Sequence, residues 1–155
     1  MQWKVPPKIK IYEALGCLAD GRLKKVDGEV RVYSSSGQKF YTVTFDEKKK
    51  AIMTNDNGSY WVGYLGYPAI AYLMSIDELP FNQKYAESLK GIAWKDINTK
   101  NKNDFEKTLL EVREIMKNKG VNLKEFDQFV EQVLREIKTK KFKLLGKKKQ
   151  PPKGY

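Results

Sequence analysis

The chain of 155 residues carries 30 basic and 19 acidic side chains, a net charge of +11, with one cysteine and no histidine. Without histidine, Ser-His-Asp and Cys-His catalysis and zinc fingers are excluded, and a lone Cys17 excludes an intrachain disulfide and suits a reducing, cytoplasmic or nuclear setting. The hydrophobic fraction of 41% fits a folded domain, no apolar run approaches the ~20 residues that span a bilayer, and no apolar signal core follows the first residues.

Residues 8–20 read as a helix: Pro6 and Pro7 precede it, Ile9, Tyr12 and Leu15 recur at helical spacing, and Asp20-Gly21 ends it. From 22 to 64 the period changes to two, with turn signals between the runs. Asp27-Gly28 between apolar runs predicts a hairpin, and Ser34-Ser35-Ser36-Gly37 predicts the next turn. Residues 38–45 alternate, with Tyr41, Val43 and Phe45 on one face and Phe40, Thr42 and Thr44 on the other. A short strand is expected over 51–54, a turn at Asp56-Asn57-Gly58, and a last strand over 59–65. The expectation is an antiparallel meander of four or five strands.

Pro68 opens a short helix with Ala69, Ile70, Leu73 and Met74 as its apolar face, and a further short helix fits 82–90. Residues 91–102 read as irregular and polar, apart from Ile92, Trp94 and Ile97. An amphipathic helix begins at Asp104, with Phe105, Leu109, Val112 and Met116 on one stripe. Asn122 and Glu125 form an N-terminal capping signature for a second helix bearing Phe126, Phe129, Val130, Val133 and Ile137. A short Gly-Val-Asn link makes the pair an αα-hairpin. The fold class expected is therefore α+β: an N-terminal helix, the meander, then a mostly helical C-terminal half. Residues 1–137 are read as one domain (β-rich 22–65, helical 67–137) and 138–155 as a lysine-rich C-terminal tail, partly disordered.

The charge is concentrated in that tail. Lys138, Lys140, Lys141, Lys143, Lys147, Lys148, Lys149 and Lys153 lie there with no acid, which leaves 22 basic against 19 acidic residues in the first 136. A lysine run attracts phosphate backbone without reading bases, or attracts an acidic protein or anionic surface, or only keeps the chain soluble. Phe142, Leu144 and Leu145 interrupt the run and imply that its first part packs or docks. The aromatic segment 59–67 offers a possible stacking surface, with Tyr60 and Tyr64 on one strand face and Tyr33 extending it. Asp46, Glu47, Asp56, Asp77 and Glu78 sit at turns or helix ends, where acids serve local hydrogen bonding. Cys17 reads as a small core residue. No catalytic residue, cofactor or metal site is expected.

Residues 29–74 resemble the SWIM-type domain, a small β-meander followed by a helix. The likeness is carried by Tyr41-Thr42-Val43-Thr44-Phe45-Asp46 and by Gly66-Tyr67-Pro68-Ala69-Ile70-Ala71-Tyr72-Leu73. The family's zinc-ligand pairs would fall near residues 52–54 and at Tyr67 and Ala69, none of them a ligand, so the resemblance implies apolar packing in place of zinc and association with DNA or protein. Together these features predict a non-catalytic, nucleic-acid-associated accessory protein that binds phosphate backbone through its tail. The alternative is an adaptor subunit of a larger assembly that docks through the 104–137 hairpin.

Overall fold

The computed structural model describes residues 1–153. Helix α1 (Ile9–Ala19) is followed by strands β1 (Leu23–Val26), β2 (Glu29–Tyr33), β3 (Phe40–Asp46) and β4 (Ala51–Thr54). These pair in antiparallel order, and positive φ at both Asp27 and Gly28 gives the tight β1–β2 turn that the sequence predicts. The expected alternation in β3 holds: Tyr41 and Val43 are buried while Thr44 is exposed. Helices α2 (Tyr67–Ser75), α3 (Gln83–Ser88), α4 (Trp94–Lys100), α5 (Phe105–Asn118) and α6 (Leu123–Lys140) complete the helical half. Asp104 and Asn122 cap α5 and α6 by accepting hydrogen bonds from Lys107 N and Glu125 N. The chain is α+β, as expected.

Helix α1 lies at the centre. Residues 11–17 are all buried, so α1 is enclosed on every side rather than laid on the surface. Its contacts run mainly to α2 and α3, and α2 in turn covers β3 and β4. Gly16 permits close packing on α1: a Cβ there would stand 3.1 Å from both Leu89 O and Trp94 Nε1. One continuous core joins Leu15, Ile52, Leu65, Ile70, Phe126 and Phe142.

Three expectations are corrected. Residues 59–65 are not a strand. Gly58–Val62 forms one π-helical turn, closed by Gly63 at φ 92° in the left-handed region. Residues 94–100 are helical, not irregular, because Trp94 is drawn into the core against α1. The fifth strand comes instead from the C-terminal segment: β5 (Lys143–Leu144) pairs parallel with β4, so the sheet is mixed and runs β1-β2-β3-β4-β5.

The body therefore extends past residue 137. Helix α6 continues to Lys140, Lys141 turns in the left-handed region, and Phe142 is only 2% exposed. The N-terminal residues fasten this segment. Trp3 N donates to Phe142 O (3.0 Å), Leu144 N donates to Met1 O (2.9 Å), and Trp3 Nε1 donates to Ile52 O (2.9 Å). The lysine-rich arm proper begins at 147, and residues 154–155 of the expected tail lie outside the described residues.

Candidate functional site

Asp56 organises the π-helical turn. Its buried carboxylate accepts from Thr54 Oγ1 (2.8 Å), Ser59 Oγ (2.7 Å) and Ser59 N (3.2 Å), and Ser59 Oγ accepts from Gly66 N (3.0 Å). A carboxylate with this many donors is satisfied without water. The turn it holds sends Trp61 outward, 71% exposed, with Val62 beside it. The Tyr60 ring meets Trp61 edge to face at 4.7 Å.

The lysine-rich arm returns to this turn. Lys148 Nζ donates to Tyr60 O (3.3 Å) and lies 6.0 Å from the Trp3 ring, and Asn55 Nδ2 donates to Gln150 O (3.4 Å). Lys4 Nζ donates to Val62 O at 3.4 Å. Asn57, Trp61, Gln150, Pro151, Pro152 and Lys153 line one shallow pocket. Lys153 thus shares the pocket of the exposed indole, Lys148 and Lys4 hold the carbonyls of the residues before and after it, and Lys147 and Lys149 are exposed on the same arm.

The other expected residues are distributed. Lys138, Lys141 and Lys143 are exposed at the end of α6, in its cap and in β5. Lys140 is engaged: its Nζ donates to Glu78 O, and Glu78 also receives Lys50 at 2.8 Å. Tyr64 is 9% exposed, near Lys10, and burial raises its hydroxyl pKa. It has no free face for a base. Tyr33 lies on the outer face of the sheet, 5.5 Å from Phe40, with Lys24 5.8 Å above its ring and Arg31 4.4 Å from Phe40. Tyr60, Tyr64 and Tyr33 therefore form no common platform, since the strand that would align the first two is absent. Trp61 is the ring of this segment that stands exposed. Its aromatic run was visible in the sequence, but the turn that turns it outward was not.

Asp46 and Asp56 have the local partners expected, since Asp46 accepts from Lys49 N and Asp56 holds the π-helical turn, whereas Glu78 binds two lysines distant in the chain, Lys50 and Lys140. Of the positions matching the SWIM-type ligand pairs, Ile52, Thr54 and Ala69 are buried and Tyr67 is partly buried, and among the described residues no group of three His, Cys, Asp or Glu is placed to hold a metal. No helix of the described residues is long and apolar enough to cross a membrane.

A second, deeper cleft of about 280 Å³ lies between α1, the β2–β3 connection and α4. No sequence motif marks it, because its residues are scattered from position 10 to position 98. Lys10 pairs with the buried Glu13 at 3.0 Å. Burial pulls the Lys10 pKa down, but Glu13, with Tyr64 and Asp56, outweighs it and keeps the ammonium charged. Arg22 donates from Nε to Asp20 (3.2 Å) and from Nη1 to Tyr33 O (2.8 Å). Three buried side-chain atoms have no hydrogen-bond partner among the described residues: Arg22 Nη2, Trp94 Nε1 and Asn98 Oδ1. All three belong to residues that line this cleft. Each stranded group costs about 1–3 kcal/mol.

The family model described as "Uncharacterised conserved protein UCP014422" matches residues 3–143, so the chain belongs to that family. That span runs from Trp3 to the first residue of β5, the two segments that fasten to each other in the fold. Neither the comparison with curated proteins nor that with solved structures found a match.

Proposed function

We propose that this family member is a non-catalytic, intracellular nucleic-acid-associated accessory protein. The lysines of its C-terminal arm contact phosphate backbone, and Trp61 stacks on a base. What carries this proposal is the placement of the 71% exposed Trp61 in one shallow pocket with the end of the lysine-rich arm. An indole beside cations is the combination that single strands bind: charge tracks the backbone, and each stacked base adds about 1–3 kcal/mol. The lysines favour affinity without sequence preference, since they lack the planar fork that reads guanine. The likeness of residues 29–74 to the SWIM-type domain supports the same direction. Trp61→Ala tests the proposal. It is expected to weaken binding of a fluorescent single-stranded oligonucleotide by about 1–3 kcal/mol while leaving stability within about 0.5 kcal/mol, because the ring packs on little. Unchanged affinity would remove Trp61 from the site.

A second function, docking of the helical hairpin on a protein partner, is favoured by Leu110, which stands 73% exposed on α5. Ile115 is exposed too, but five positions along the helix is not the spacing of one stripe. A pull-down from native lysate separates the two: partners lost on nuclease treatment support nucleic acid, and partners retained support the adaptor.

A further inference from the structure

The turn between β3 and β4 carries a lysine run of its own, Lys48, Lys49 and Lys50. The fold sets that turn against the end of α6 and the start of β5. Lys143 N donates to Lys50 O (2.9 Å), and Lys143 stands opposite Ala51 in the parallel β4–β5 pair. Glu78, between α2 and α3, ties the two segments together: it receives Lys50 at 2.8 Å and lies 3.7 Å from Lys140. Two lysine runs far apart in the chain thus meet at one end of the sheet. Local structure accounts for part of their charge. Lys50 and Lys140 share the Glu78 carboxylate, and Lys138 lies in the last turn of α6, where the helix dipole favours a cation. Lys48, Lys49, Lys141 and Lys143 have no such local reason. All four are exposed, and none enters an ion pair among the described residues. At this end seven lysines stand against Asp46, Glu47, Asp77 and Glu78, an excess of three positive charges. Neighbours in a turn, or across strands about 4.8 Å apart, lie within one Debye length of roughly 8 Å, so they repel and act as one patch. Accumulated like charge destabilises a compact fold, and an anionic partner laid on it relieves the repulsion.

This patch and the Trp61 surface lie at opposite ends of β4. The strand covers Ala51–Thr54, and beyond it Asn55 Nδ2 holds Gln150 O of the arm while Asp56 starts the π-helical turn. At about 3.3 Å per residue, β4 sets the two cationic groups roughly 13 Å apart. That exceeds the Debye length, so each acts on its own. A short anion reaches one of them, and an elongated anion bridges both. Resting on the nucleic-acid reading above, we propose that Lys48, Lys49, Lys141 and Lys143 form a second phosphate-binding patch, reached by a single strand that is held at its other end by Trp61 and the arm. Each phosphate engaged there adds about 0.7 to the salt slope. The four are point charges without a planar fork, so the patch lengthens the site without selecting bases.

The fourfold variant Lys48→Gln, Lys49→Gln, Lys141→Gln and Lys143→Gln tests the proposal, with circular dichroism as the check on folding. Thymidine strands of three and of twenty nucleotides are titrated against the full chain between 50 and 200 mM salt, read by tryptophan fluorescence. The long strand is expected to lose about tenfold or more in affinity at 50 mM salt, with a slope flatter by up to about 2.8. The trinucleotide, held at the Trp61 end alone, is expected to change less than about twofold. Because Lys141 turns the chain in the left-handed region after α6, the pair Lys48→Gln and Lys49→Gln is the companion variant: it is confined to the exposed turn and should flatten the long-strand slope by up to about 1.4. A long-strand slope unchanged in both variants, or a trinucleotide weakened as much as the long strand, would overturn the second patch while leaving the Trp61 site standing. An intact chain that binds neither strand would defeat the nucleic-acid reading itself, and the second patch with it.

Discussion

Replacing Phe142 with alanine tests whether the chain after α6 is part of the body. The ring is 2% exposed and meets Phe45 at 6.3 Å, while its carbonyl accepts from Trp3 N. Deleting a buried phenyl removes its transfer free energy and leaves a cavity, together about 3–5 kcal/mol. The cavity would lie where β5 joins β4 and the N-terminal residues cross, so little can collapse into it. Urea unfolding followed by far-UV circular dichroism reads the loss. With a slope of about 2 kcal/mol/M, the midpoint falls by about 1.5–2.5 M at unchanged slope. A shift worth under about 0.5 kcal/mol would refute the placement and return residues 141–146 to a detached tail.

Asp56→Ala strands Thr54 Oγ1, Ser59 Oγ and Ser59 N in a buried site. A loss of about 3 kcal/mol is expected, together with a change in Trp61 emission as the π-helical turn loosens. Gly66→Ala would set a Cβ 2.1 Å from Asp56 Oδ2, so a destabilisation of about 1–3 kcal/mol is expected in the same assay. Alkaline pH should weaken the fold. Burial pushes the Cys17 thiol up to about 12 and raises the Tyr64 and Tyr67 hydroxyls. The folded state thus keeps protons that the unfolded chain releases above about pH 8.5 for the thiol and 10 for the phenols. Stability is full below pH 8 and falls by about 1.4 kcal/mol per pH unit from Cys17 as pH rises past 9. Cys17→Ala should flatten the loss between pH 9 and 10, and an unaltered pH profile would count against a thiol held protonated.

The sequence disclosed most elements through local signals. Asp27-Gly28 placed the first hairpin, period-two alternation placed β3, and Asp104 and Asn122 marked the starts of α5 and α6. What it concealed depends on contacts distant in the chain. Residues 59–65 have strand-like composition, yet Asp56 captures Ser59 and Gly63 reverses the backbone, so a π-helical turn wins over local preference. Helix α4 is polar along most of its length and forms because Trp94 is buried beside Gly16, nearly eighty positions away. Strand β5 is two residues long and has no pattern of its own. Phe142, Leu144 and Leu145 breaking the lysine run were its only trace. The arm lysines of the candidate surface were legible as a charge run, whereas Trp61 was legible only as an aromatic without a direction. The deep cleft was illegible, since the residues that build it share no spacing.

Nucleic-acid binding through the arm is tested most directly by its salt dependence. Each single-strand phosphate neutralised contributes about 0.7 to the slope of log affinity against log salt. Lysines 147, 148, 149 and 153 are exposed beyond the packed segment, so their joint replacement by glutamine leaves the core residues untouched. Fluorescence anisotropy of a single-stranded oligonucleotide between 50 and 200 mM salt should show the intact chain binding with a steep slope and the fourfold variant with a slope flatter by up to about 2.8. An intact chain that does not bind at 50 mM salt, or a variant whose slope is unchanged, would contradict the account.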